Sequence, residues 1–206
     1  MTWEILSIIG TIAFAASGAI IAMEEDYDVL GVAVLALVTA FGGGIIRNLL
    51  IGIPIQEIWT QGSLFKLAIL TVIIIFIIPS KWIFYWEKPG TFFDAIGLSA
   101  FAVQGALAAV DANYSTAAVV VAAVLTGCGG GIIRDVLAGR KPLVFRTEIY
   151  AIWAALAGFI LGMGWMQDIW GEYILTACIT VLRLLSVRNH WQLPKRNYTK
   201  PRDFYR

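Results

Sequence analysis

Apolar runs of about twenty residues follow one another along most of the chain, broken by short polar or glycine- and proline-containing links. Each run is long enough for a helix to cross a hydrocarbon core of roughly 30 Å. The pattern predicts seven helices, near 3–23, 29–51, 64–80, 93–111, 115–138, 148–166 and 169–187. The links run from Glu24 to Asp28, Gly52 to Ser63, Pro79 to Phe92, Asn113 to Tyr114, Gly139 to Thr147 and Gln167 to Asp168. None is long enough to separate soluble domains. The expected organisation is one membrane domain over 1–190 and a basic tail over 191–206. The first run, Trp3 to Met23, has neither a basic leader nor a clear cleavage site, so it is expected to stay as a transmembrane helix.

The pattern also repeats. Sliding the sequence by 87 residues lays Ile9–Gly52 on Ile96–Gly139 without a gap, and 21 of the 44 pairs are identical. Repeat one is about 4–86 and repeat two about 91–166; the helix near 169–187 belongs to neither. Three spans per copy is an odd number, so the second copy enters the membrane inverted relative to the first. The fold class expected is an all-α integral membrane protein: seven transmembrane helices as two inverted three-helix repeats plus one, with helices two and five kinked at their glycine triplets.

Composition agrees with the hydropathy. Of 206 residues 59% are hydrophobic and 14% charged, against about a quarter charged in soluble domains. The net charge of +1 gives no indication of a nucleic-acid partner. Lysine and arginine gather in the third-to-fourth link (Lys81, Lys88), the fifth-to-sixth (Arg140, Lys141, Arg146) and the tail (Arg188 to Arg206), all on one side if there are seven spans. The opposite links contain none. By the positive-inside rule the protein is multi-pass in the plasma (inner) membrane, with its N-terminus outside and its C-terminus cytoplasmic. Trp82, Tyr85, Trp86, Trp165 and Trp170 fall near span ends, where aromatic rings prefer the interface.

The densest chemistry is a hexapeptide present twice, Gly42-Gly43-Gly44-Ile45-Ile46-Arg47 and Gly129-Gly130-Gly131-Ile132-Ile133-Arg134. Each glycine costs about 1 kcal/mol relative to alanine in a helix interior, and an arginine in hydrocarbon costs roughly 3 kcal/mol even on the lenient insertion scale. One reading is two broken helices facing each other across a pathway, with freed carbonyls as cation ligands. The other is close helix packing through small residues. Arg47 and Arg134 read either as gate or anchoring charges or as side chains snorkelling to the nearer interface. Asp135 is a further candidate charge, expected to point away from Arg134. Ser17, Gln104, Thr39 and Thr126 are candidate pore-lining groups or interhelical hydrogen-bonding groups. Arg140, Lys141 and Arg146 either meet anionic lipid headgroups or serve only to set topology. Asp94 reads as an end-of-helix charge and Arg183 as a snorkelling one.

Cys128, Cys178 and the only histidine, His190, have no spacing that suggests a metal site or a disulfide framework. No resident metal or cofactor is expected, and any ion involved would be a permeant cation. There is no nucleotide loop, no acid–base carboxylate pair, and no serine or cysteine nucleophile with a histidine. An enzyme is not expected.

With the doubled glycine-to-arginine motif, the three-plus-three-plus-one spans and the outside N-terminus, the chain resembles the prokaryotic relatives of the trimeric intracellular cation channels over about residues 4–187. The resemblance implies a homotrimer with a pore in each protomer, bent at the triplets and passing monovalent cations with potassium favoured. It matches Gly42, Gly43, Gly44, Gly129, Gly130 and Gly131 to the family's kink residues, and Arg47 and Arg134 to the basic residues after them. The lysine-containing lipid-binding signature of the animal members has no counterpart here. The same bacterial domain also carries the label of a glycine transporter, which leaves a small-amino-acid carrier as the alternative. The implied partners are a second and third copy of the chain, membrane lipids and monovalent cations, permeant potassium or sodium.

Overall fold

The computed structural model describes residues 2–54, 56, 60–79, 81, 89–145 and 149–194. Trp82, Tyr85, Trp86, Lys88, Arg146 and the tail basic residues from Lys195 onward lie outside the described residues. Among the described residues seven α-helices follow in order: α1 (Thr2–Glu24), α2 (Val29–Ile51), α3 (Gly62–Ile77), α4 (Pro89–Asp111), α5 (Thr116–Leu137), α6 (Ala151–Gly162) and α7 (Ile169–Arg188), with a short 3-10 turn at Leu143–Phe145.

Helix ends repeat along with the helices. α1 and α4 stop at left-handed Asp26 (φ 55°) and Asn113 (φ 57°), and the next N–H, from Tyr27 or Tyr114, reaches back to Ala22 or Ala109 at 3.0 Å in each case. α2 and α5 stop at Gly52 (φ 72°) and Gly139 (φ 68°), where only glycine adopts the turn without strain. The N–H groups of Ile53 and Arg140 then close the cap on the Asn48 and Asp135 carbonyls. Two boundaries differ from expectation. α4 begins at Pro89 rather than near 93, because proline suits the first turn of a helix, whose N–H groups have no partner in any case. α6 ends at Gly162 because Gly164 and Met166 both take positive φ.

Five of the helices (α1, α2, α4, α5 and α7) are long and apolar enough to cross a membrane. The third helix of each repeat is shorter, at 16 residues in α3 and 12 in α6. At 1.5 Å per residue α6 spans only about 18 Å. α1 and α4 are the most enclosed. They run antiparallel, with Phe14 and Phe101, equivalent positions in the two repeats, meeting edge to face at 5.2 Å. Each ring fills the space a Cβ on the facing glycine would need: one added at Gly10 would clash with the Phe101 ring and one at Gly97 with the Phe14 ring.

The triplets correct one expectation. Both lie inside uninterrupted α-helix, so no carbonyls are freed by a loss of winding there. The glycines are used for contact instead. A Cβ on Gly43 would sit 2.3 Å from the Thr126 carbonyl oxygen, and one on Gly130 would sit 2.1 Å from that of Thr39. The first glycine of each triplet is also close-packed: a Cβ on Gly129 would lie 3.1 Å from the Cα of Gly43, and one on Gly42 would lie 2.8 Å from the Ile133 methyl. Gly44 has room: a Cβ there would meet only the Arg47 guanidinium, at 3.9 Å. Antiparallel α2 and α5 thus cross backbone to backbone at the middle glycines. Alanine at Gly43 or Gly130 should lower thermal stability in detergent by about 1–3 kcal/mol, as overpacking does. Gly44→Ala should be neutral or gain up to about 1 kcal/mol from helix propensity. Equal effects at the three positions would contradict the crossing geometry.

Candidate functional site

Each arginine sits four residues past the middle glycine of its triplet, one turn nearer the helix end, so the crossing sends the two to opposite ends of the bundle. Neither snorkels out. Arg134 is 2% exposed and Arg47 is 6% exposed.

Around Arg134 the sequence assembles a buried ionic cluster from three helices. Its Nη1 donates to Asp94 Oδ1 (2.8 Å) and to Ser17 Oγ (2.7 Å), while its Nε donates to Asp135 Oδ1 (2.9 Å). Nη2 pairs with the same Asp135 oxygen at 2.8 Å. Asp135, expected to face away, is therefore a direct partner. The flexible arginine stem reaches sideways at the last turn of α5, and the Leu143 N–H holds the other Asp135 oxygen at 2.9 Å. Asp94 is not a plain end-of-helix charge: it is wholly buried, and its Oδ1 also accepts from the Tyr150 hydroxyl at 3.2 Å. Asp94 Oδ2 has no hydrogen-bond partner among the described residues. Ser17 passes the network on by donating to the Gly90 carbonyl at 2.8 Å.

The equivalent cluster in repeat one has the same shape and different chemistry. Arg47 donates through Nε and Nη2 to Asn48 Oδ1 (3.1 and 2.9 Å) and lies 5.5 Å from the centre of the Trp3 ring. Ser7 occupies the place of Asp94, and Gln104, the equivalent of Ser17, donates to Ser7 Oγ. Thr39 and Thr126 bond to their own helices, each at 2.6 Å to the carbonyl four residues back. Their hydroxyls are committed to the helix under Gly18 and Gly105.

Among the described residues, one cavity borders the crossing and another lies beside Arg134. The first, about 30 Å³, is walled by Trp3, Ser7, Arg47, Phe101, Gln104 and Thr126 among others. The second, about 210 Å³, is walled by Glu24, Gly90, Thr91, Arg134, Asp135 and Arg140 with Ile21 and Leu143. They share no lining residue and lie toward opposite ends of the helices. Of the candidate pore-lining residues, Gln104 and Thr126 face the first cavity, while Ser17 and Thr39 face neither.

Arg140 is not turned to lipid. Its Nε meets Glu25 Oε1 at 2.5 Å and its Nη1 meets Glu24 Oε2 at 2.8 Å. Partial burial works against its charge, but the hydrogen bonds and charges of the two glutamates outweigh that and raise its pKa above the ordinary arginine value. Lys141 is exposed. Arg183, expected to snorkel, is fully buried, with its guanidinium 4.9 Å from the Tyr150 ring centre and Nη1 donating to the Ile149 carbonyl at 3.3 Å. Sequence reasoning missed Tyr150 and the coupling of Asp94 to Arg134. The missing signal was the register: Ser7 and Asp94 are equivalent, and a carboxylate standing where the other copy has a hydroxyl marks a charge to be explained.

A polytopic bundle of inverted repeats with a buried arginine at each end of a glycine crossing is the architecture in hand. The family model described as glycine transporter matches it twice, over residues 4–80 and 91–167, at the same 87-residue spacing. The chain belongs to that family. It is 57% identical over 198 residues to the UPF0126 membrane protein YvgT of Bacillus subtilis, covering 96% of this chain and 98% of the relative. It is 33% identical over 195 residues to the inner membrane protein YadS of Escherichia coli K12, covering 92% and 93%. Among solved structures it superposes with a TM-score of 0.83 on one from a study of conductance through TRIC cation channels (33% identity; 98% of this chain and 100% of that one). A prokaryotic TRIC channel in 0.5 M KCl gives 0.82 (32% identity; 93% and 98%).

Removing one partner of a buried ion pair costs about 3–5 kcal/mol. Asp94→Ala should therefore destabilise the protein by that order, whereas Ser7→Ala at the equivalent place should cost about 1 kcal/mol, the worth of an ordinary hydrogen bond. Thermal unfolding of the two variants side by side checks the asymmetry.

Proposed function

We propose that the protein is a passive monovalent cation channel favouring potassium, with a pore in each protomer of a homotrimer, its N-terminus outside and its C-terminus in the cytoplasm. The observation that carries this reading is a cavity toward each end of the bundle, one lined by Arg47 and Gln104 and the other by Arg134 and Asp135, in a fold shared at 33% and 32% identity with proteins described as TRIC channels. A fixed guanidinium in such a path would repel a cation. Arg134 does not stand alone in that sense: two buried carboxylates, Asp94 and Asp135, lie against it. On this reading the conformation is a closed one, with Phe14, Phe101 and the crossing between the two cavities, and conduction follows when that layer parts.

A small-amino-acid carrier is the second reading, favoured by the family's description and by two cavities that do not join. There the arginine and the acids would hold the carboxylate and ammonium of a zwitterion. Purified protein in planar bilayers separates the two. A channel gives unitary steps with a reversal potential near that of potassium in a KCl gradient, and Asp135→Asn shifts it toward chloride. Saturable glycine counterflow without unitary steps would replace the channel by the carrier.

A further inference from the structure

The inverted repeats build two mouths with shared backbone geometry, and the one at the Arg134 end carries a solvent-reached ionic bridge. At the Arg134 end, Arg140 lies just past the left-handed Gly139 and reaches across to Glu24 and Glu25 at the end of α1. Glu24 and Arg140 both wall the 210 Å³ cavity, so their ion pair closes the ring formed by the end of α1, the start of α4 and the end of α5. At the equivalent positions in the other mouth stand Asp111, Ala112 and Ile53, none of them basic. The neutral part of the fastening is nearly the same at both ends: Tyr27 donates to the Leu137 carbonyl at 2.7 Å, and Tyr114 donates to the Ile51 carbonyl at 3.2 Å. This bridge is thus not repeated at the equivalent positions, although the tyrosine fastening is.

We infer that Arg140 is the access-determining residue of the Arg134 vestibule, an ionic latch that occupies Glu24 and Glu25 and holds that mouth narrow. Solvent reaches all three side chains, which are 25%, 26% and 35% exposed. An ion pair so placed contributes little net stability and weakens with salt, as suits a bridge that opens and closes. Once released, the two glutamates present their carboxylates at the rim, where they attract cations.

The inference rests on the channel reading for its physiological meaning, but access can be measured without conduction. Thr91 lines the vestibule behind the latch. In a Cys178→Ser background, which removes the exposed cysteine, Thr91→Cys is titrated with a neutral maleimide in proteoliposomes. Arg140→Gln should raise the labelling rate about threefold to fivefold, the size expected for loss of a partly exposed ion pair. Raising the salt should speed labelling with Arg140 present and leave the Arg140→Gln rate unchanged. The swap Arg140→Glu with Glu24→Arg and Glu25→Arg should restore slow labelling. In bilayers, Arg140→Gln should raise open probability by a similar factor. Equal labelling rates and equal salt dependence with and without Arg140 would overturn the latch. Wild-type bilayers without cation current would overturn the channel reading alone, since the labelling comparison decides the latch by itself.

Discussion

In a bilayer, helices gain nothing by hiding leucines from one another, because the lipid tails are equally apolar; association rests on close contact and on polar bonds. The Gly43/Gly130 crossing is where this protein obtains that contact. A Cβ on either middle glycine would fall more than half an ångström inside the closest approach real Cβ atoms make, and against backbone rather than a movable side chain. The crossing is also self-complementary, since Gly43 faces Thr126 and Gly130 faces Thr39, and each pair is the other's equivalent. Everything polar is placed relative to it. One turn beyond lie the two arginines, one toward each end, and beside it lies the Phe14–Phe101 pair that packs α1 on α4.

What the repeat keeps and what it changes divide cleanly. Kept are the glycine contacts, the aromatic pair, the left-handed helix stops and the threonines bonded back to their own helices. Each is a steric or backbone requirement that inversion leaves intact. Changed are Ser7 to Asp94, Asn48 to Asp135 and Ile53 to Arg140. These alter charge while leaving the backbone alone. A duplicated fold can therefore hold one geometry at both ends while its two surfaces diverge electrically, which suits a membrane whose two sides differ.

The number, order and inversion of the helices were legible because apolar runs of membrane length and an 87-residue repeat are both one-dimensional signals. The role of the triplets was half legible. That Gly42–Gly44 and Gly129–Gly131 matter follows from their cost in a helix, but whether glycine serves bending or contact depends on what lies opposite. Only the fold brings Thr126 and Thr39 there. The partners of Arg134 were hidden for another reason. Asp94 is forty residues away in sequence, and Asp135 seemed excluded by helical geometry, an argument that fixes where Cβ atoms point and says little about the end of a four-bond stem. From the sequence Arg140 reads with the loop charges that meet lipid or set topology. Its bond to the acidic link appears only when the ends of α1 and α5 come together.

Arginine rather than lysine at 47 and 134 fits these surroundings. A guanidinium offers a planar fork with several donors. Arg134 uses it to hold Asp94, Asp135 and Ser17 at once, and Arg47 uses two arms on Asn48 while its face lies over Trp3. A lysine ammonium could satisfy some of these acceptors but could not bridge α1, α4 and α5 from one rigid plane. The buried charge is then a joint as well as a charge: Ser17 belongs to repeat one, Asp94 and Asp135 to repeat two, and Arg134 binds the halves across the pseudo-twofold axis. Any motion that parts the crossing must either break that joint or carry it along as a unit. The ion pairs lie within repeat two, and the bond across the halves is the Arg134–Ser17 hydrogen bond, which with a charged donor is worth about 1.5–3 kcal/mol. The halves are therefore expected to pivot with the Arg134 cluster whole and to yield at the apolar contacts between Phe14 and Phe101.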